Sequence, residues 1–468
     1  MTINLDSRAV ALKAKAQRLE QRWQDLCANY LPLAQKDSIW RYHQTPDPDQ
    51  PASGWKLHVS ATILNAPAIL KRVAPLLADA NVQFKAARSL AEVSKLNSGL
   101  HYSYSQIGKI ITVYPRSGGE AVSLARRLHK VTYRYAGPSV PFDFRFRGNI
   151  YYRFGAFRPL EIAQDNGART LAIISPDGDL VPDKRESGKP DWIRDPFEGD
   201  KRIKRRVRDN PAVPFRVLGA LVQRGKGGVY QAVDLRPMPP RLCLLKEGRK
   251  NGEIAWDGRD GAWRIRNEEL VLSQLSAAGI RVPEVYSSFE IEGNYYLALK
   301  FIEGETLHNL LGRLQRRMTI ARVLNYGVQL AKYLSQMHQL GWAWRDCKPT
   351  NLLVTRQQTL MPIDFEGACA INKPDPLRWG TPGFVPLDNA KGTGVGDDQY
   401  ALGAILYLLL TARVFDPTQA VALESLRPHV PSDVSQLIAG LLSTNPDVRP
   451  DVLTVYLELQ RILSTMRK

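Results

Sequence analysis

Apolar and polar side chains alternate over short stretches in the N-terminal half of the chain. Residues 55–61 alternate in this way, which predicts a half-buried strand with Lys56 and His58 on its polar side. Residues 110–114 form a run of β-branched and aromatic residues that predicts a second strand, and Pro115 ends it. The polar side chains of the first strand are therefore candidates for a cleft.

Helical periodicity flanks these strands. Leu19, Trp23 and Leu26 roughly share a face, so the first thirty residues predict an amphipathic helix. Residues 119–135 predict another helix. After Pro214, strands come first and helices follow, up to a final predicted helix at 452–466. This order predicts an α+β fold class, with an N-terminal α+β domain followed by a two-lobed catalytic domain.

A change of composition marks the boundary between the two domains. Residues 175–209 are rich in Pro, Asp, Gly and basic residues. We expect a first domain at 1–205 and a second at 213–468, with a basic linker at 186–212.

Composition narrows the class of protein. A chain of 468 residues with 44% hydrophobic residues is long enough for two or three domains with their own cores. No run of 18 apolar residues is present, so we expect no membrane span. The four cysteines form no C-x-x-C pair, which argues against a disulfide framework or a thiolate zinc site and favours a cytoplasmic location.

The net charge of +18 is the unusual bulk property. A positive field attracts nucleic acid, acidic peptides or phosphate-bearing substrates, although a solvated basic surface gives the same number. Residues 201–208 concentrate this charge next to the second domain. They fit a solvated linker or docking segment better than a nucleic-acid patch.

The second domain offers the parts that phosphoryl transfer from ATP requires, namely a lid, a phosphate-binding cation, metal-holding groups and an aligning base. Its candidate lid is a glycine-rich turn between predicted strands, where backbone N–H groups can approach phosphate, and it contains Gly225, Gly227 and Gly228. Lys246, in a predicted strand, fits the lysine that contacts the α- and β-phosphates. Glu268, in the predicted helix at 264–275, is its candidate ion-pair partner. Each signal alone is weak.

A longer motif makes the case specific. Residues 344–351 read W-R-D-C-K-P-T-N and residues 363–365 read I-D-F. They resemble the protein-kinase catalytic loop H-R-D-x-K-x-x-N and the D-F-G segment, and the resemblance extends over 215–463. It implies ATP and Mg²⁺ as cofactors, with these roles: Asp346 accepts the proton of the substrate hydroxyl, Lys348 stabilises the transferring group, and Asn351 and Asp364 hold Mg²⁺.

The motif departs from the family pattern at several positions. Trp344 stands in place of the catalytic-loop histidine, and Glu366 in place of the D-F-G glycine. Val222 and Arg224 replace two lid glycines, and P-L-D at 386–388 replaces A-P-E. None of these changes removes a catalytic group, so we expect a divergent, active kinase without ordinary activation-loop control.

Cationic residues also recur in the first domain. Lys56 and His58 share one strand face, and Lys85 is flanked by apolar residues that would lower its pKa toward that of a usable base. Arg145 and Arg153 add guanidinium groups suited to phosphate. The residues alone equally allow structural cations on an aromatic-rich sheet.

The combination of K-L-H at 56–58 with Lys85 resembles the phosphothreonine lyases, and more closely the lyase domain of class III and class IV lanthipeptide synthetases. Segments at 108–115, 137–145, 176–185 and 192–197 are similar to the same domains. The resemblance implies a β-elimination in which Lys85 removes the α-proton, His58 protonates the departing phosphate, and Lys56 stabilises negative charge. Arg145 and Arg153 would bind phosphate.

These resemblances predict a bifunctional peptide dehydratase acting on a ribosomal precursor peptide with a leader. One alternative is a Ser/Thr protein kinase whose N-terminal domain only recruits substrates. Another is a kinase-like scaffold that binds nucleic acid, which the intact kinase residues disfavour. Related synthetases carry a further C-terminal cyclase domain, and the expectation from this sequence is that such a domain is missing. Ring closure by a separate cyclase as partner, ring closure by spontaneous addition, and a product left dehydrated are the open alternatives.

Overall fold

A computed structural model describes residues 5–36, 38–45, 49–158, 160–163, 167, 169–198, 214–314, 317–373, 375–387 and 394–466. Helices and sheets occur in both halves of the chain, so the predicted α+β fold class is confirmed. The basic run at 201–208 and Asp388 of the P-L-D segment lie outside the described residues.

The first domain combines a seven-stranded sheet with four helices and a small second sheet. Its helices are α1 (Leu5–Tyr30), α2 (Ala66–Asp79), α3 (Leu90–Ser98) and α4 (Gly118–Thr132). Its strands are β1 (Leu33–Ala34), β2 (Trp40–Tyr42), β3 (Ser53–Val59), β4 (Gln83–Ala87), β5 (Ile111–Tyr114), β6 (Phe144–Arg147), β7 (Ile150–Ala156), β8 (Glu161–Ala163), β9 (Arg169–Ile174) and β10 (Leu180–Pro182).

The large sheet has the order β1-β2-β4-β5-β3-β7-β6, and its pairs are antiparallel. Alternate residues of its central strands, among them Leu57, Val113 and Phe84, are buried in the same apolar core as residues of α2 and α4. The opposite face of the sheet is left to the polar residues between them. Because the side-chain period of a strand is two, the alternation at 55–61 was a reliable guide to β3.

The last described residues before the second domain, up to 198, pack against the first domain. Phe197 is buried and stacks on Tyr152 with ring centroids 3.8 Å apart. Tyr152 also donates to Asp195 at 3.1 Å. The beginning of the predicted linker at 186–212 is therefore packed, and residues 199–213 lie outside the described residues.

The second domain has a β-rich first lobe and a helical second lobe. Its helices are α5 (Gly261–Ala277), α6 (Leu307–Leu314), α7 (Ile320–Gln339), α8 (Val395–Thr411), α9 (Leu423–Leu426), α10 (Ser432–Leu441) and α11 (Val452–Thr465). Its strands are β11 (Phe215–Arg224), β12 (Gly227–Asp234), β13 (Arg241–Gly248), β14 (Val285–Ile291), β15 (Asn294–Lys300), β16 (Glu305–Thr306), β17 (Trp342–Ala343), β18 (Leu352–Val354), β19 (Leu360–Pro362) and β20 (Cys369–Ala370).

The first lobe is a five-stranded antiparallel sheet in the order β11-β12-β13-β15-β14, with α5 packed against β13 and β15. In the second lobe, α8 lies at the centre and is buried along most of its length, between α7 and α10. The short hairpin β18–β19 directly follows the catalytic loop at 344–351 and precedes Asp364.

The loop between β13 and α5 ties the two domains together. Ile254 and Trp256 of this loop pack against the apolar core of the first domain. Lys15 of α1 donates to the backbone carbonyl of Trp256 at 2.9 Å. Part of the first lobe is thus anchored on the N-terminal domain.

Candidate active sites

Strand register gathers the predicted cations of the first domain on one sheet face. Cross-strand partners in an antiparallel sheet point to the same face. Lys85 of β4 and His58 of β3 both lie opposite Thr112 of β5, and Lys56 lies opposite Arg153 of β7. The structure therefore brings four of the five predicted residues of this site together.

An acidic residue organises the centre of this cluster. The carboxylate of Asp143 contacts Nδ1 of His58 at 2.5 Å and Nζ of Lys109 at 2.8 Å. All three side chains are almost fully buried. Because Asp143 holds one ring nitrogen of His58, the ring has a fixed orientation and its other nitrogen remains for a ligand.

A second acidic residue, Asp183, holds Arg153 through an ion pair at 2.5 Å. Arg185, two residues further on, donates to the hydroxyl of Ser105 at 3.0 Å. Its charge acts on both Lys85 and Lys109, so it belongs to the same cluster. We call the six basic residues Lys56, His58, Lys85, Lys109, Arg153 and Arg185 the cationic cluster.

Burial and mutual repulsion lower the pKa values within the cationic cluster. Burial is the largest cause for Lys56, with Arg153 and Lys85 adding to it, and the pKa falls to about 7. Burial and the charge of Arg185 lower the pKa of Lys85 to about 8. A lysine with such a pKa is partly neutral near neutral pH and is able to act as a base.

The pKa of His58 falls to about 4, mainly because the ring is buried and secondarily because Lys109 and Lys56 repel its charged form. Asp143 opposes this fall. Burial by itself would raise the pKa of Asp143, but His58 and Lys109 bring it to about 2. Without a ligand the cluster thus holds Asp143 charged and His58 neutral.

Arg145 lies apart from the cluster, although it shares the sheet face. It is exposed on the edge strand β6, opposite Tyr151, which separates it from His58. Its Nε donates to the backbone carbonyl of Gly148 at 2.8 Å. The charge of Arg185, by contrast, acts on Lys85 and Lys109 inside the cluster.

In the second domain, the predicted nucleotide-binding residues form a connected set. Nζ of Lys246 contacts the Glu268 carboxylate at 2.6 Å and Asp364 at 3.1 Å. Burial by itself would lower the pKa of Lys246, but the two carboxylates outweigh it and raise that pKa. This lysine–glutamate pair is the arrangement that phosphoryl transfer by kinases requires.

The catalytic loop is equally well ordered. Lys348 donates to the Asp346 carboxylate at 2.7 Å and to the hydroxyl of Thr381 at 2.9 Å. Asn351 donates to the backbone carbonyl of Asp346 at 2.9 Å through its amide nitrogen. The hydroxyl of Thr381 also donates to the Asp346 carboxylate at 3.2 Å, so Lys348 and Thr381 hold this carboxylate together.

The donor set of this loop fits magnesium. The side-chain hydrogen bonds of Asn351 to Asp346 use its nitrogen, so they leave the amide oxygen available to a cation. Asp364 contributes a carboxylate. Hard oxygen donors of this kind suit Mg²⁺ bound jointly with phosphate. Among the described residues, no group of three or more His, Cys, Asp and Glu side chains forms a site of its own for a metal ion.

Trp344 has a structural role that explains its departure from the family pattern. Its indole nitrogen donates to the backbone carbonyl of Asp364 at 3.0 Å, and its ring stacks on Phe365 with centroids 5.3 Å apart. The side chain is fully buried. Trp344 therefore holds the segment of Asp364 and Phe365 in place through one hydrogen bond and one ring contact.

An aspartate holds the activation segment. Arg345, next to the catalytic aspartate, contacts Asp375 at 2.8 Å, and Arg259 contacts the same carboxylate at 2.7 Å. Asp375 is buried. A permanent carboxylate thus occupies a position between two arginines, the kind of site that suits a phosphate group.

The glycine-rich turn is packed more tightly than expected. The N–H of Gly225 donates to the backbone carbonyl of Ser98 in α3 at 2.9 Å. A Cβ atom at Gly225 would lie 1.6 Å from the carbonyl oxygen of Asn97. The N–H predicted to approach phosphate is therefore engaged by the first domain. Gly227 has a φ of +158° and packs against the backbone of Glu247, whereas Gly228 lies over the ring of Tyr230.

Sequence reasoning missed three members of the first site. Asp143 and Lys109 lie in segments whose resemblance to lyase domains was noted, but only Arg145 was singled out there. Arg185 is the last residue of the segment 176–185, which also resembles lyase domains, but its distance along the chain from the strands that it joins hides its place in the site. The position of Asp143 between Phe142 and Phe144, an acid among aromatic residues, was the available sequence signal for it.

Comparison with known families agrees with this two-part architecture. Residues 31–209 match the model of the RamC N-terminal domain, and residues 243–457 match the protein kinase domain. A region similar to the RamC N-terminal domain is thus followed by a region similar to protein kinase domains, and the predicted resemblance to lanthipeptide synthetases is confirmed.

One relative spans both parts. A probable SapB synthase of Streptomyces coelicolor is 29% identical over 391 residues, covering 80% of this chain and 41% of the relative. A probable serine/threonine-protein kinase PknB of Lactococcus lactis is 25% identical over 243 residues, covering 50% of this chain and 36% of the relative. The chain therefore spans well under half the length of these relatives. Within the described residues, no helix has the length and apolar character needed to cross a membrane.

Proposed function

We propose that this protein is a bifunctional peptide dehydratase, which phosphorylates Ser or Thr of a precursor peptide and then eliminates the phosphate. The observation that carries the proposal is the cationic cluster, in which a lysine of lowered pKa and a carboxylate-held histidine lie on one buried face beside arginines. Its position next to an ordered kinase site in the same chain links the two steps. The similarity to a probable SapB synthase across both domains supports this reading.

In the kinase step, the hydroxyl oxygen of the acceptor attacks the γ-phosphorus of ATP, and the bond to ADP breaks. Asp346 takes the hydroxyl proton, and Lys348 stabilises the charge on the transferring group. Asn351 and Asp364 would hold Mg²⁺, which neutralises phosphate charge when bound. Lys246, fixed by Glu268, positions the phosphates at the rear of the cleft.

In the elimination step, neutral Lys85 removes the α-proton of the phosphorylated residue. The Cβ–O bond breaks, and phosphate leaves with the electron pair of that bond. Lys56, Lys109 and Arg153 offset the charge of the leaving group. The products are a dehydroalanine or dehydrobutyrine residue and inorganic phosphate, so hydroxide never has to leave directly.

The low pKa of His58 in the free protein is compatible with a role as acid. A bound phosphate dianion places opposite charge beside the ring, which raises the pKa of His58 and of Lys56. Asp143 supports the same protonated form through Nδ1. The negative charge of the substrate phosphate thus favours the protonated form of His58, which then donates its proton to the leaving phosphate.

The partners follow from this chemistry. A precursor peptide with a leader is the substrate. The positive charge of the chain favours retention of a phosphorylated intermediate.

Intact-mass analysis of a candidate precursor peptide with the protein, ATP and Mg²⁺ tests the proposal. Wild type is expected to give successive losses of water, whereas Lys85→Met is expected to accumulate phosphorylated peptide. If wild type stopped at stable phosphopeptide, the elimination would be excluded and a Ser/Thr kinase with a recruiting N-terminal domain would remain.

A further inference from the structure

Lys226 occupies the tip of the turn between β11 and β12, directly after the engaged Gly225. Its Nζ forms an ion pair with the carboxylate of Glu366. Glu366 is buried and stands where protein kinases have the glycine of D-F-G. The lid and the metal-binding segment are therefore joined by an ion pair, and Glu366 is the member that departs from the family pattern.

The side chain of Lys226 extends into the nucleotide cleft. Its ammonium group is close enough to Asp364 and Lys246 for both charges to act on it. These are the residues expected to hold Mg²⁺ and the phosphates. About a third of the side chain, 31%, is exposed, so a ligand in the cleft has access to it.

The backbone of this turn is fixed on two sides. Gly225 donates to Ser98 at 2.9 Å, and Arg249 donates to the carbonyl of Lys226 at 2.7 Å. A Cβ atom on Gly261 would lie 1.8 Å from that same carbonyl oxygen. Because the backbone is held, the flexible lysine side chain is the part of the lid that is free to move.

The lid lacks one of the backbone N–H groups that the glycine-rich turn was predicted to offer to phosphate. Val222 and Arg224 replace glycines on β11, and the N–H of Gly225 is occupied by the first domain. The ammonium group of Lys226, at the tip of the turn, offers phosphate a positively charged donor in place of this N–H group.

We propose that Lys226 is a phosphate-binding residue of the kinase site, and that Glu366 is its partner only while the nucleotide is absent. On arrival of MgATP, the ammonium group leaves the single carboxylate and binds the β- and γ-phosphates, which carry more charge. This inference rests on the proposed kinase activity and adds to it a second lysine that selects for the length of the phosphate chain.

Titration of the full chain with ATP and with adenosine, in the presence of Mg²⁺, tests the inference. Lys226→Met is expected to weaken ATP binding by about tenfold or more, the effect of one charge-assisted hydrogen bond, and to leave adenosine binding unchanged. Lys226→Arg is expected to recover most of the loss. Lys332→Met, which removes an exposed lysine of α7, is the matched control and is expected to have no effect.

Glu366→Gln separates a ligand role from a structural one. If Lys226 must leave Glu366 to bind phosphate, Lys226→Met has a larger effect on ATP affinity in the Glu366→Gln background than in wild type. Equal losses for ATP and adenosine, or unchanged ATP affinity in Lys226→Met, would overturn the inference, as would a wild type that fails to bind MgATP.

Failure of the kinase proposal gives a different result. A wild type that binds ATP with this dependence on Lys226 but transfers no phosphate would refute the kinase activity and leave the binding role intact. A wild type that phosphorylates peptide with unchanged ATP affinity and turnover in Lys226→Met would refute only the inference.

Discussion

The backbone N–H of Gly225 donates to the backbone carbonyl of Ser98 at 2.9 Å, and this bond joins the lid of the kinase site to the last residue of α3. α3 begins with the N-cap Ser89, just after β4, which carries Lys85. The proposed base of elimination and the lid of the kinase site are thus placed by two successive elements of the first domain.

Gly225→Ala is expected to separate the lid from α3, because the added Cβ would lie 1.6 Å from the carbonyl oxygen of Asn97. Overpacking of this kind costs about 1–3 kcal/mol. We expect a loss of peptide phosphorylation of about tenfold or more, measured by radiolabel transfer. Gly219→Ala, where a Cβ meets nothing within 4 Å, is the control and should retain full activity. Equal activity of the two variants would show that the contact is not needed.

Asp375 is expected to replace a regulatory phosphate. Asp375→Asn leaves Arg345 buried without its charged partner, which should destabilise the protein by about 3 kcal/mol and slow phosphorylation. Asp257→Asn removes a carboxylate that contacts Arg259 but not Arg345, so it should have a much smaller effect. Thermal denaturation and kinase assays measure both. A wild type that is active only after phosphorylation in residues 371–387 would contradict this account.

The pH dependence of elimination should report Lys85. Its pKa is lowered to about 8, so the rate on a phosphopeptide should rise with pH and level off above that value, as the base loses its proton. Arg185→Gln removes a cation that lowers this pKa, so the rising limb should move to higher pH. Arg169→Gln, at an exposed position of β9, should leave the limb in place. A limb that does not move in Arg185→Gln would exclude Lys85 as the titrating base.

Asp143 is expected to act as a positioning residue through His58. Asp143→Asn removes the carboxylate that holds Nδ1 at 2.5 Å, which should slow elimination by about 100-fold and leave phosphorylation unchanged. Asp191→Asn, at an exposed position, is the control. Since Lys109 also loses its partner, circular dichroism of both variants should first establish that they are folded. A folded Asp143→Asn protein with full elimination activity would contradict the role.

The local sequence pattern was sufficient to predict a strand or a site where the residues that define it lie within one short segment. The alternation around Lys56 and His58 gave the strand and its polar face, because a period of two is visible within seven residues. The spacing of Asp346, Asn351 and Asp364 predicted the kinase site, because these residues lie in two short segments that are close in sequence.

Contacts between distant segments were beyond the reach of local pattern. Arg145 and Arg153 both stand next to aromatic residues, and only the sheet order shows that one lies at an exposed edge and the other next to Lys56. The use of Gly225 against α3 depends on how the two domains pack. Burial, strand register and domain packing are properties of the folded chain, so the structure is needed to assign these contacts.

A synthetic phosphoserine peptide with the sequence of a candidate precursor, incubated with the full chain in the absence of nucleotide, tests the central claim most directly. The account predicts loss of phosphate and formation of dehydroalanine with wild type and with Asp346→Asn, but not with Lys85→Met. Phosphopeptide that stays intact with wild type, or that reacts equally with Lys85→Met, would contradict the assignment of the cationic cluster as a lyase site.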